Sequence, residues 1–327
     1  PEGGTALETE FALETDKAAW DDDDRPLSFK WSYTVPGGEG GEEEVPLNDY
    51  QPVADIAAVL PAGVFEHGYN VTILLRAMDA MGAESEPVRK NVSVSWPVLE
   101  DEEAVSGFVD DKARVADEAL ANGDTDTTLQ LVSGLTSLLN SDGTNSTNTT
   151  DTSAPGRGRR LLGSRKLRKS SGLSAQQLTS RKAQRKKLLQ TADSAMVLSV
   201  TTTGSLARSS NIVSSICSAP AELSEAIQDG ALEISNRILG DISSPAGKAA
   251  SLELTQGAAS GVVSAADGVA GAVAMAASPT TEGEGEPPSP ADATTGEGEG
   301  EGASTEALAR AVATRSGIRS LLNRMAG

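Results

Sequence analysis

From Leu7 to Trp96 apolar residues recur in short runs at every second position, separated by turn residues, which is the pattern of half-buried strands. Thr9 to Leu13 is the first run. After Asp21–Asp24 and Arg25-Pro26, the residues Leu27, Phe29, Trp31 and Tyr33 alternate with Ser28, Lys30 and Ser32, so one face is aromatic or aliphatic. A Gly/Glu-rich stretch from Gly37 to Glu44 reads as a loop, Val53 to Leu60 as another strand, and Pro61-Ala62-Gly63 as a turn. Tyr69, Val71, Ile73 and Leu75 then alternate with Asn70, Thr72 and Leu74 up to a turn at Asp79–Gly82. Val92, Val94 and Trp96 share a face in Val88 to Trp96. Five or six such strands predict an antiparallel two-sheet β-sandwich of immunoglobulin or fibronectin type over residues 1–99.

At Glu100 the period changes. Asp101-Glu102-Glu103 place negative charge where a helix N-terminus favours it, predicting one helix to about Ala121 and a second from about Thr127 to Leu139, together residues 100–140. Residues 141–173 lose periodicity, passing from Ser/Thr/Asn-rich into basic sequence, and read as a disordered insertion. Helical spacing returns over 174–278, with helices expected at 175–200, 205–217 and 248–277. The clearest stripe is Leu223, Ile227, Ala231, Ile234 and Ile238, begun by Pro220 and closed by Gly240. Residues 279–302 repeat Glu, Gly and Pro as an acidic linker. Within 303–327, Leu308, Val312, Ile318, Leu321, Leu322 and Met325 predict a last amphipathic helix. The fold class is therefore α+β in several parts: a sandwich followed by an interrupted α-helical region.

Composition sharpens that division. All ten aromatic residues lie between Phe11 and Phe108, so the sandwich can build an ordinary aromatic core while everything after it must pack Ala, Leu, Ile and Val. The formal charge of −20 conceals a basic block: residues 156–187 hold twelve Lys or Arg and no acid, against 15 basic and 47 acidic residues elsewhere. Such acidity disfavours anionic partners outside that block. Gly257 to Ala277 is the most apolar stretch, but Asp267 near its middle argues for a buried helix rather than a membrane span. The chain opens on Pro1 with neither a secretory signal pattern nor a stop-transfer helix, which predicts an excerpt of a longer protein.

Candidate chemistry is sparse. One cysteine, Cys217, excludes an intrachain disulfide framework and any multi-cysteine metal cluster, and its neighbours Ile212, Val213 and Ile216 predict a buried, inert thiol. The one histidine, His67, lies in a Glu-His-Gly turn with no partner to orient it as a base. Asp21, Asp22, Asp23 and Asp24 offer oxygens of the kind calcium takes, though without EF-hand spacing or a second acidic loop, and a solvated turn is the favoured reading. No other cofactor is implied. Asn70, Asn91, Asn145 and Asn148 open Asn-x-Ser/Thr sequons, glycosylation candidates if the chain enters a secretory compartment. Arg157, Arg159 and Arg160 resemble a processing-protease site in an exposed insertion. The basic block lacks aromatics for base stacking and flanks an acidic body it could contact instead, so nucleic acid is a disfavoured partner.

The segments Phe11-Ala-Leu, Trp20-Asp21, Asp24-Arg25-Pro26-Leu27-Ser28-Phe29, Leu60-Pro61-Ala62-Gly63, Tyr69-Asn70-Val71-Thr72 and Asp79-Ala80-Met81-Gly82-Ala83 resemble, in order and spacing, the receptor-for-egg-jelly (REJ) module of polycystin-family ectodomains. The helical continuation, including Pro220-Ala-Glu-Leu-Ser, is similar to the region that follows the sandwich in that family. The family's membrane helices and channel have no counterpart here, and no proteolysis-site cysteines can be matched. The resemblance implies a non-catalytic extracellular ligand-binding or stalk segment of a polycystin-like membrane receptor or cation channel. Its partners would be extracellular proteins or glycans, and its membrane anchorage would come from the rest of the full-length protein. The alternative is a structural cell-surface or matrix glycoprotein using the sandwich as a spacer. An enzyme is not expected, because no acid/base constellation emerges.

Overall fold

The computed structural model describes residues 3–20, 24–36, 42–63, 68–141, 173–199, 202–243 and 252–277, together with Ala309 and Val312. The expected linker at 279–302 and most of the expected insertion at 141–173 lie outside the described residues. So does the final helix, except for its two described positions, which are helical. The chain divides into two units, Pro1–Ser199 and Val200–Gly327.

The first unit opens with seven strands: β1 (Gly3–Thr5), β2 (Glu10–Leu13), β3 (Ser28–Pro36), β4 (Glu42–Pro46), β5 (Ile56–Val59), β6 (Asn70–Met78) and β7 (Val88–Ser95). They form a five-stranded sheet in the order β1-β7-β6-β3-β4 and a two-stranded sheet of β2 and β5. One core joins both sheets. Phe29, Trp31 and Tyr33 of β3, Val71, Ile73 and Leu75 of β6, and Val92 and Val94 of β7 pack with Phe11, Leu13 and Ala58 of the smaller sheet. Alternation selects those positions, since residues two apart face the same way. The Trp31 indole keeps its N–H satisfied by donating to the Ala54 carbonyl at 2.6 Å, and Trp20 stands edge-on to Phe29.

Two expectations need correction. The large sheet is mixed rather than antiparallel, because the three-residue β1, too short to show a period, runs parallel to β7. Residues 42–44, expected within a Gly/Glu-rich loop, belong to β4, whose Val45 is buried opposite Tyr33. Its acidic residues hide the alternation.

Three helices complete the first unit: α1 (Glu102–Ala121), α2 (Thr125–Asn140) and α3 (Ala175–Leu198). The Asp101 carboxylate accepts from the Ala104 N–H and the Asp124 carboxylate from the Thr127 N–H, while Ser174 and Gln177 form a reciprocal capping box. Gly123, at φ 78°, makes the tight reversal between α1 and α2. Helix α2 docks on the smaller sheet. Gln130 accepts from the Val59 N–H at 3.1 Å and donates to the Leu47 carbonyl at 3.3 Å, tying α2 to an otherwise unpaired strand edge. Nearby, Leu7 reaches Gly134 so closely that a Cβ there would stand 2.3 Å from the leucine Cδ2. Leu7 itself adopts a left-handed φ of 64°, a conformation costing roughly 1–2 kcal/mol that its burial against α2 offsets.

The second unit contains α4 (Thr203–Ile216), α5 (Glu225–Ser243) and α6 (Leu252–Ala277). The expected stripe is buried at Leu223, Ile227, Ala231, Ile234 and Ile238, but its limits differ. Pro220–Glu222 is a separate 3-10 turn and Leu223 is extended, so α5 begins at Glu225. Gly240 does not end it, because Ile242 prolongs the buried stripe, outweighing the ~1 kcal/mol that an internal glycine costs. Helices α4 and α6 approach along small residues: Ala258, Ala265 and Ala272 are buried, and a Cβ at Gly268 would stand 2.2 Å from the Cys217 carbonyl oxygen. No described helix is long and apolar enough to cross a membrane.

Candidate functional site

The face of the five-stranded sheet turned away from the core divides into a charged end and a small-residue end. At the charged end Glu44 of β4 gathers three strands. Its carboxylate accepts from the Ser32 hydroxyl at 2.8 Å and from Arg76 at 3.1 Å, and lies 3.8 Å from the Lys30 ammonium. Burial alone would raise the Glu44 pKa. The Ser32 and Arg76 hydrogen bonds and the charges of Lys30 and Arg76 outweigh it and hold the carboxyl below its ordinary value. Lys30 also sits over the Tyr50 ring at 5.2 Å, and burial, followed by the Glu84 carboxylate, pushes the Tyr50 phenol above its ordinary range. A carboxylate held ionised by a hydroxyl and two cations is poorly suited to give up a proton as an acid. The arrangement clamps β4 onto β3 and β6.

At the small-residue end the structure brings two sequons together. Strand register sets Asn70 opposite Ser93 and Thr72 opposite Asn91, with both asparagines exposed. The Thr72 hydroxyl donates to Asn91 Oδ1 at 2.9 Å. Asn145 and Asn148 lie outside the described residues, as do Arg157, Arg159, Arg160, His67 and the aspartates Asp21, Asp22 and Asp23. Asp24 is exposed, and its carbonyl accepts from the Ala80 N–H. Among the described residues no cluster of His, Cys, Asp or Glu is placed to hold a metal ion. Cys217 is buried at the end of α4.

The described end of the basic block belongs to α3 and is built into the fold. Arg181 forks onto the Glu102 carboxylate at 2.5 and 2.9 Å and reaches the Leu139 carbonyl, while the fully buried Arg185 donates to Asn140 Oδ1 at 2.8 Å. Both guanidiniums thus meet the C-terminus of α2, where the helix dipole favours positive charge. Gln184 bonds Ser106 and Asp110 of α1, and Asp117 accepts from Thr191 and pairs with Lys187. Polar side chains thus link α1 to α3 at several levels.

Sequence reasoning missed the Glu44 cluster because the acidic run Glu42–Glu44 shows no alternation. The signal was present in the phase of β6, where Arg76 shares the face of Asn70, Thr72 and Leu74.

The two sheets, α1 and the first half of α2 fall within one family match. The family model of the REJ domain matches residues 1–133, from β1 into α2. Over residues 1–133 the chain is similar to REJ domains. REJ domains occur in polycystin-like proteins, as the sequence resemblance implied, and belong to a receptor- and channel-associated family. Residues 134–327 lie outside the match. Comparison with curated proteins and with solved structures finds no match.

Proposed function

We propose that this chain is a non-catalytic, extracellular ligand-binding or stalk segment of a polycystin-like membrane receptor or cation channel. The REJ match over residues 1–133 carries the reading, because it spans the sandwich and reaches the helix that Gln130 and Gly134 dock onto it. A stalk must transmit orientation from one element to the next. A sandwich joined to α2 through a buried leucine and a bridging glutamine suits that work better than beads on a flexible tether. The sandwich we infer is of immunoglobulin or fibronectin type. In support, the core joins both sheets, and β1 pairs in parallel with β7 at the edge of the larger one.

The test is topological. An antibody raised against residues 1–140 should label intact, unpermeabilised cells that make the native protein, and the transcript should continue beyond this chain into several apolar spans of ~20 residues. Labelling only after permeabilisation would overturn the extracellular assignment. Surface labelling with no apolar spans in the transcript would favour a structural surface glycoprotein.

A further inference from the structure

We propose that Asn70 and Asn91 both carry N-linked glycans, forming one paired glycan patch on the outer face of β6 and β7; this rests on the extracellular reading above. The cross-strand register carries the argument. Each sequon hydroxyl stands directly opposite the other sequon's asparagine, Ser93 across from Asn70 and Thr72 across from Asn91, so all four side chains point to one side, away from the buried Val71, Val92 and Val94. The two asparagines are diagonal neighbours, about 7–8 Å apart for such a pair. The paired neighbours are short. Gly3 of β1 pairs with Ser93, so at that position the edge strand carries no side chain. On the other flank Thr34 pairs with Thr72. No long side chain overhangs either exposed amide from these paired positions.

The bonding fits the chemistry. Asn91 uses Oδ1 to accept from Thr72, leaving the linking atom, Nδ2, outside that bond. In the transfer, the amide Nδ2 attacks C1 of an oligosaccharide carried on a lipid pyrophosphate. The N–C1 bond forms, the C1–O bond to pyrophosphate breaks, the lipid pyrophosphate leaves and one amide proton is lost to base. The amide oxygen takes no part, so the Thr72 bond survives in the product. Timing follows as well. The Asn70 sequon needs the Thr72 hydroxyl, which the completed β6–β7 pair engages, so Asn70 is modified before β7 docks.

The full chain expressed behind a secretory leader in glycosylating cells tests this independently of where the native protein resides. Trypsin cleaves after Arg76 and Lys90, placing the two sites on separate peptides. Release by peptide N-glycosidase from the denatured chain before digestion should convert both asparagines to aspartate, and the intact mass should show both glycans on one molecule. Asn70→Gln and Asn91→Gln should each remove one glycan, and Ser93→Ala should remove only that on Asn91. Sugar at Asn145 or Asn148 with Asn70 and Asn91 bare would overturn the patch while leaving the extracellular reading intact. Occupancy of only one of the two, or secretion without any sugar, would overturn it equally.

Discussion

The two units solve the same packing problem with opposite materials. In Pro1–Ser199 bulk fills the core, with Phe11, Phe29, Trp31 and Tyr33 buried between sheets, and buried polar side chains join the helices. In Val200–Gly327 no aromatic residue exists, and cohesion comes from backbones brought close at Gly261 and Gly268 with alanine between them. The contrast predicts opposite sensitivities: the first unit should suffer when volume is removed, the second when volume is added.

Removing volume gives the largest expected effect. Trp31→Ala should cost the first unit ~3–5 kcal/mol and leave the Ala54 carbonyl without its indole donor. All three tryptophans lie in that unit, so fluorescence reports on it alone, while helical circular dichroism reports on both. The tryptophan transition should shift strongly while part of the helical signal melts at an unchanged midpoint. A uniform shift of both signals would deny that the units are separate.

Adding volume comes next, and the two glycines at helix contacts sharpen the comparison. At Gly268 the obstacle is the backbone oxygen of Cys217, which cannot turn away, so Gly268→Ala should cost ~3 kcal/mol, at the upper end for overpacking. At Gly134 the obstacle is the tip of Leu7, which can change rotamer. An alanine also gains ~1 kcal/mol of helix propensity, so Gly134→Ala should cost ~1 kcal/mol or less. Chemical denaturation followed by circular dichroism and fluorescence measures both. Equal losses at the two sites would sink the distinction between a yielding and a rigid neighbour.

Much of this architecture was legible in sequence because period survives in isolation. The aromatic face of β3, the faces of β6 and β7 and all six described helices follow from spacing two or from helical stripes. What escaped depends on partners far along the chain. β1 is a strand only because β7 lies beside it, and β4 because Val45 is buried opposite Tyr33 and Glu44 finds Ser32, Arg76 and Lys30. Arg185 is in sequence one of the twelve cations of the basic block, and no local signal says that its guanidinium meets the end of α2. The paired sequons were visible singly, at Asn70 and Asn91, but the register that faces them together belongs to the folded sheet.

The smallest effect tests the polar side of the comparison. Glu44 has a folded pKa below the ordinary glutamate value of 4.5, so its ion pairs contribute stability that is present above that value and lost as pH falls through the folded one. Glu44→Gln keeps an acceptor for Ser32 but removes the charge facing Arg76 and Lys30. At neutral pH the variant should therefore unfold more easily, by about 1 kcal/mol or less for a part-exposed pair. The deficit should shrink as pH drops below 4.5 and the wild-type carboxylate is itself protonated. Tryptophan fluorescence against denaturant across that range reads the difference. The second unit's helical transition should not respond to this substitution at any pH, and a deficit persisting undiminished in acid would assign the loss to packing rather than charge.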